Sequence, residues 1–154
     1  MLEFRKVTMD DVRPLCRLHV PETQQKLVSP NAYTLAEMQF EPGAYVRGMW
    51  VGEQPVGLLG MLDMRAFDGI EDEELLRDAA YLWRLMVGDG HQGKGYGGQA
   101  IEVAKATAGE WGFDRLSVTV LDDPEAAVPF YERHGFRLTG RTLFGSELEM
   151  LWMG

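Results

Sequence analysis

One run of residues constrains this chain more than any other. Gly88-Asp-Gly-His-Gln-Gly-Lys-Gly-Tyr-Gly-Gly98 holds six glycines in eleven positions. It follows Tyr81-Leu-Trp-Arg-Leu-Met-Val87, whose aromatic and aliphatic content reads as a strand, and precedes an alanine-rich stretch that reads as a helix to about Trp111, capped by Gly112. Glycines between a strand and a helix let backbone amides close around an anion at the positive end of the helix. A tight turn needing positive φ angles uses fewer of them. The run therefore points to a phosphate-bearing ligand.

Two well-known phosphate patterns overlap this loop, and both are incomplete. Gly88 to Lys94 fits the first seven positions of a P-loop, but Gly95 stands where Ser or Thr must hold magnesium. Gly93, Gly95 and Gly98 match G-x-G-x-x-G, yet the acidic residue expected at the end of the following strand is missing, because Asp114 precedes that strand.

The rest of the chain reads as alternating elements. Residues 2–7 form a short strand, and Thr8 with Asp11 marks a helix start running to about His19. Pro21 stops it. Thr34-Leu-Ala-Glu37 has capping-box spacing and predicts a second helix from Thr34. Residues 44–51 and 55–62 flank the turn Gly52-Glu-Gln-Pro55 as an antiparallel hairpin. Residues 63–78 are expected to be loop around a short helical stretch. Beyond the glycine loop and its helix, residues 115–121 form a strand with Leu116, Val118 and Val120 inward, Pro124 to His134 a helix, and 136–142 and 147–153 two strands. The order β-α-α-β-β-β-α-β-α-β-β, with a central hairpin, excludes an all-parallel sheet. We expect one α/β (α+β) domain over residues 1–154, a mixed, mostly antiparallel twisted sheet flanked by helices.

Composition narrows the partners. The 154 residues carry 15 Lys+Arg against 24 Asp+Glu, a net charge of −9, which argues against coating a nucleic acid backbone. A cationic partner fits better, as does a merely solvated acidic surface. The single cysteine, Cys16, falls in a helical pattern and reads as a buried free thiol, so a cytoplasmic location is expected. No basic-then-apolar leader and no run of about 18 apolar residues is present, so no membrane partner is expected. Symmetric self-association into a homodimer is an open expectation.

Two spaced motifs carry a resemblance. Gln92-Gly-Lys-Gly95-Tyr-Gly97 has the spacing Gln/Arg-x-x-Gly-x-Gly, and Phe130-Tyr-Glu-Arg-His-Gly-Phe136 has Tyr-x-x-x-Gly-Phe downstream. Together with the element order they resemble the GNAT acetyltransferase superfamily over essentially the whole chain. Trp83-Arg-Leu-Met-Val87, Pro30-Asn-Ala-Tyr33, Leu35-Ala-Glu37 and Pro129-Phe-Tyr131 are similar to bacterial spermine/spermidine acetyltransferases.

The resemblance implies an acetyl-CoA-dependent N-acetyltransferase, with acetyl-CoA as co-substrate and no metal. A small, polycationic amine would attack directly in a ternary complex. It implies that the strand bearing Leu85, Met86 and Val87 splays at a bulge and offers main-chain groups to the pantetheine arm. Gln92, Gly93, Lys94, Gly95, Gly97 and Gly98 would line the pyrophosphate, Gln92 through its amide. Lys94 reads equally as a solvated charge, and His91 as an incidental loop histidine. Tyr131 aligns with the tyrosine that protonates the leaving thiolate, with Phe130 beside it; packing on the helix face is the alternative. Arg133 either reaches the phosphates or pairs with Glu132 or Glu125. Many members carry Asn where this chain has Pro124, so one cofactor hydrogen bond is lost here.

No general base declares itself. Glu37, Glu41 and the acids of 63–78 are candidates for binding the amine or taking its proton. Arg84, unusual in mid-strand, is expected to point to solvent or to pair with the acidic segment, with Tyr81 and Trp83 facing the core; Trp83 serves alternatively as an aromatic wall for an aliphatic amine. Other acceptors, an aminoglycoside, an amino acid or a protein N-terminus, use the same chemistry, and a non-catalytic CoA-binding sensor is a different class of answer.

The acidity is concentrated: residues 63–78 hold seven acids and two bases, −5 of the total −9. Replacing Glu71, Asp72, Glu73 and Glu74 together by their amides is expected to raise KM for a polyamine and to leave acetyl-CoA binding unchanged. An unchanged KM would make the segment a solvated loop.

Overall fold

The computed structural model describes residues 1–67, 75–124 and 127–154. Its element order matches the expected one: β1 (Leu2–Lys6), α1 (Val12–Arg17), α2 (Asn31–Glu37), β2 (Ala44–Val51), β3 (Gln54–Leu62), β4 (Ala80–Val87), α3 (Tyr96–Glu110), β5 (Arg115–Leu121), α4 (Val128–Arg133), β6 (Arg137–Leu143) and β7 (Glu147–Met153). Short 3₁₀ segments at Met9–Asp11 and Glu22–Leu27 flank α1. No helix among the described residues is long and apolar enough to cross a membrane.

The seven strands form one sheet in the order β1-β2-β3-β4-β5-β7-β6. Every neighbouring pair is antiparallel except β4 and β5, which run parallel. Helix α3 makes the crossover between those two strands, as parallel pairing requires. Its inward Ala100, Ile101, Ala104 and Ala108 pack with Leu59, Leu82, Leu116, Val118, Phe136 and Met150 in the main core. A second cluster joins α1 and α2 to the sheet through Leu15, Leu35, Val46, Trp50, Leu58 and Met86. A third gathers Leu62, Met64, Phe67, Leu75, Tyr81 and Leu143.

Four local expectations are corrected. Helix α2 starts at Asn31, not Thr34, because Thr34 is buried on the inward face and cannot cap. Asn31, also buried, donates from Nδ2 to the Leu15 carbonyl at 2.8 Å, so the helix start is tied to the end of α1. The reciprocal hydrogen bonding expected of a helix start is found at Thr8, whose backbone N–H donates to Asp11 Oδ2 at 2.9 Å. Cys16 is exposed rather than buried, since Leu15 takes the inward position and the next residue turns away by about 100°. α1 ends at Arg17 rather than His19, and α4 is confined to Val128–Arg133 among the described residues. The short helix expected within 63–78 lies largely outside the described residues.

Phe136 is fully buried, and its ring meets Tyr131 edge-on at 5.4 Å. Phe136→Ala is expected to cost about 3–5 kcal/mol of stability, measured by urea denaturation, as for other buried aromatics. Leu138→Ala on the exposed side of β6 should stay within about 0.5 kcal/mol of wild type.

Candidate active site

The site begins where the sheet opens. β4 pairs with β5 only at Ala80↔Leu116, Tyr81↔Ser117 and Leu82↔Val118. Beyond Leu82 the strands part, so β4 has no strand on that side from Trp83 to Val87. The Trp83 carbonyl accepts from the Arg84 guanidinium and the Val87 carbonyl from the Gln92 amide, and main-chain groups between them face the gap without a strand partner. On the other side, β4 stays paired with β3, but the register steps from Met61↔Leu82 to Gly60↔Arg84, which makes Trp83 the extra residue of a bulge. The bulge shifts the alternation by one residue. Leu82 packs on the α3 side before it and Leu85 and Val87 after it, while Met86 joins the α1–α2 cluster.

A cavity of about 1410 Å³ fills the opening, larger than the roughly 300–1,000 Å³ of an ordinary small-ligand pocket. Trp83, Leu85, Met86, Val87, Gln92, Gly93, Gly95, Gly97, Gly98, Phe130, Tyr131 and Arg133 all lie on its wall. The structure thus brings together most of the residues expected from the sequence. Lys94 is exposed and is not on the wall.

The loop glycines do two different things. Gly93 and Gly95 have φ of 78° and 84°, with nothing within 4 Å of an added Cβ, so they are needed for backbone conformation and leave open space above the start of α3. Gly97 and Gly98 lie under α4: an added Cβ would come within 3.1 Å of the Phe130 ring and 2.9 Å of the His134 ring. They let α4 close on the first turn of α3, whose unpaired N–H groups are suited to an anion. The Gln92 amide donates to Val87 O at 3.0 Å and to Gln24 Oε1 at 3.0 Å. Both of its hydrogens are held by the protein, so the side chain pins the loop to β4 and to the Glu22–Leu27 segment.

Tyr131 is buried, with its ring edge-on to Phe130 at 5.1 Å. Burial, and to a lesser degree the neighbouring Tyr81, push its phenol above the ordinary value for tyrosine. It remains a neutral O–H donor through the whole physiological range. Arg133 is exposed at the cavity edge and makes no ion pair with Glu132; Glu125 lies outside the described residues.

Of the expected acidic residues, Glu37 and Glu41 are among the described residues. Glu37 pairs with Arg84 at 3.3 Å, which ties Arg84 to α2. The Arg84 guanidinium also stacks on Trp83, 4.7 Å from the ring centre. Neither Glu37 nor Glu41 lies on the cavity wall. Glu71, Asp72, Glu73 and Glu74 fall outside the described residues. Sequence reasoning did not single out Glu147 and Thr119. Thr119 Oγ1 donates to Glu147 Oε1 at 3.1 Å and lies 2.6 Å from the Tyr81 hydroxyl. Only alternation along β5, which turns Thr119 away from Val118, hinted at that placement.

The fold and the cleft are those of an acyl-transferring domain. The model of the acetyltransferase (GNAT) family matches residues 12–136, and the chain belongs to this family of N-acetyltransferases, whose acetyl donor is acetyl-CoA. Solved structures agree in fold. The PaiA N-acetyltransferase of Thermoplasma acidophilum, in complex with coenzyme A, superposes with a TM-score of 0.70 at 14% identity, covering 100% of this chain and 99% of its own. An acetyltransferase from Thermus thermophilus gives 0.70 at 22% identity, over 100% and 97%. The ribosomal-protein-S18-alanine N-acetyltransferase of Escherichia coli gives 0.69 at 17%, over 99% and 94%. No curated protein matches the chain by sequence.

The raised Tyr131 phenol has a signed consequence. Above about pH 10 the unfolded chain releases this proton and the folded chain keeps it, so folding stability falls as pH rises there. Tyr131→Phe should remove that part of the alkaline loss, read by denaturant titration at pH 9 and pH 11.

Proposed function

We propose that the protein transfers an acetyl group from acetyl-CoA to a primary amine by direct attack in a ternary complex, with Tyr131 as proton donor to the departing thiolate. One observation carries this reading: the parted β4 and β5 form a long cleft that has the glycine loop at one end and a buried neutral phenol on its wall. Main-chain groups beyond Leu82 suit the pantetheine arm, and the amides above Gly93 and Gly95 suit the pyrophosphate. Arg133 adds a positive charge at the cavity edge.

The chemistry asks for a neutral amine, a polarised carbonyl and a proton for sulfur. A phenol is a weaker acid than a thiol, so giving its proton to thiolate is uphill taken alone. The balance closes when the ammonium formed in the tetrahedral adduct, a far stronger acid, returns a proton to the phenolate.

For the acceptor, we read a small polyamine, supported by the charge of −5 over residues 63–78. A second reading, an amine bearing a single positive charge such as an amino acid or a protein N-terminus, is supported by Arg84. Its guanidinium lines the cleft and disfavours a second cation beside it.

Incubation with acetyl-CoA and a panel of spermidine, amino acids, aminoglycosides and peptides should release free thiol with at least one acceptor. Binding of acetyl-CoA with no release would leave a CoA sensor. Tyr131→Phe should lower kcat about 100-fold or more and leave acetyl-CoA affinity within about threefold. Equal loss of both would remove the proton-donor role.

A further inference from the structure

We infer that Glu147 is the proton acceptor for the attacking amine and that Thr119 and Tyr81 hold it in position, an assignment that rests on the N-acetyltransferase reading above. The main cleft opens beside a second recess of about 200 Å³, lined by Leu62, Leu75, Tyr81, Trp83, Arg84, Phe144 and Glu147. Tyr81, Trp83, Arg84 and Glu147 belong to both walls. Glu147 is the one carboxylate among these four. It therefore stands where a ligand in the recess would meet a ligand in the cleft.

The carboxylate is oriented. Thr119 gives its hydroxyl hydrogen to Glu147 Oε1, so the 2.6 Å contact with Tyr81 must be a donation from the Tyr81 hydroxyl to Thr119. The chain Tyr81 to Thr119 to Glu147 is thus directional and fixes one carboxylate oxygen. Oε2 has no hydrogen bond among the described residues. Among the described residues, Glu102, also on the cleft wall, pairs with Lys105 at 3.2 Å on the α3 side, Glu37 pairs with Arg84, and Glu149 is buried against Arg141 at 2.9 Å.

Position relative to Tyr131 completes the case. Val118 packs on the α3 side with Tyr131, so the adjacent Thr119, and Glu147 bonded to it, face the opposite side of the sheet. Donor and acceptor then approach the parted strands from opposite faces and do not exchange a proton with each other. The amine enters as ammonium and gives one proton to the Glu147 carboxylate. Its nitrogen lone pair forms the N–C bond to the thioester carbon. The C–S bond breaks, sulfur takes the Tyr131 hydrogen, and the second nitrogen proton restores the phenol. Glu147 releases its proton to solvent.

The test is the pH dependence of kcat/KM for an amine that the wild type acetylates. Glu147→Gln should lose about 100-fold or more at pH 7. The deficit should shrink about tenfold per pH unit toward pH 9, because the neutral fraction of an amine with a pKa near 10 rises by that factor. Acetyl-CoA affinity should stay within about threefold. Thr119→Val should lose about tenfold with the same pH trend, and Glu147→Asp should recover part of the rate. If Glu147→Gln does not fold, the Thr119→Val and Glu147→Asp profiles decide. A rate within threefold of wild type, or a deficit equal at every pH, would overturn the assignment and leave the N-acetyltransferase reading standing. Absence of transfer by the wild type to any amine would overturn both.

Discussion

The rest of the structure depends on β4 and β5 coming apart. Three residue pairs hold them in parallel, and then β4 keeps only its partner β3. A buried strand edge without hydrogen-bond partners is unfavourable unless a ligand or water supplies them. The opening is nevertheless stable, because each strand is held elsewhere: β4 by β3, and β5 by β7 along its whole length from Arg115↔Met153 to Leu121↔Glu147. The cleft is therefore built into the sheet. The glycine loop and the first turn of α3 close one end, and α4 covers the flank.

The bulge at Trp83 sets what each side of the opening presents. Without it, strict alternation would put Arg84 on the same face as Leu82, against the α3 core, where an unpaired guanidinium is strongly disfavoured. With it, Leu85 and Val87 return to that core and Arg84 turns to the other face, over Trp83 and toward Glu37. On the face opposite Tyr131, Arg84 thus joins Tyr81, Thr119 and Glu147 beside the apolar clusters. The sheet separates a neutral buried phenol from a carboxylate, the arrangement that the proposed donor and acceptor roles need.

Much of this was legible in local pattern. Element order followed from periodicity and turn residues, and the glycine loop announced both the strand before it and the helix after it. Errors arose where a local signal competed with burial. Thr34 has capping-box spacing but faces the interior, and Cys16 lies in a helical pattern but next to the residue that faces inward. Gln92 sits in the expected motif, yet its amide hydrogens go to Val87 and to Gln24, a residue 68 positions away. Gly97 and Gly98, which read as part of a phosphate loop, are also the seat of Phe130 and His134.

By itself the sequence determined the strand, glycine loop and helix, the Tyr131 motif and the family they define, because these rest on neighbours along the chain. Only the tertiary structure brought Glu147 to the cleft on the face opposite α3. Glu37 was neutralised by an arginine 47 residues away, while Glu147 was joined to Thr119 across 28 residues and Thr119 to Tyr81 across 38. No periodicity or spacing encodes such meetings. They follow from strand order and from a one-residue bulge, which set the face each side chain occupies only once the sheet has formed.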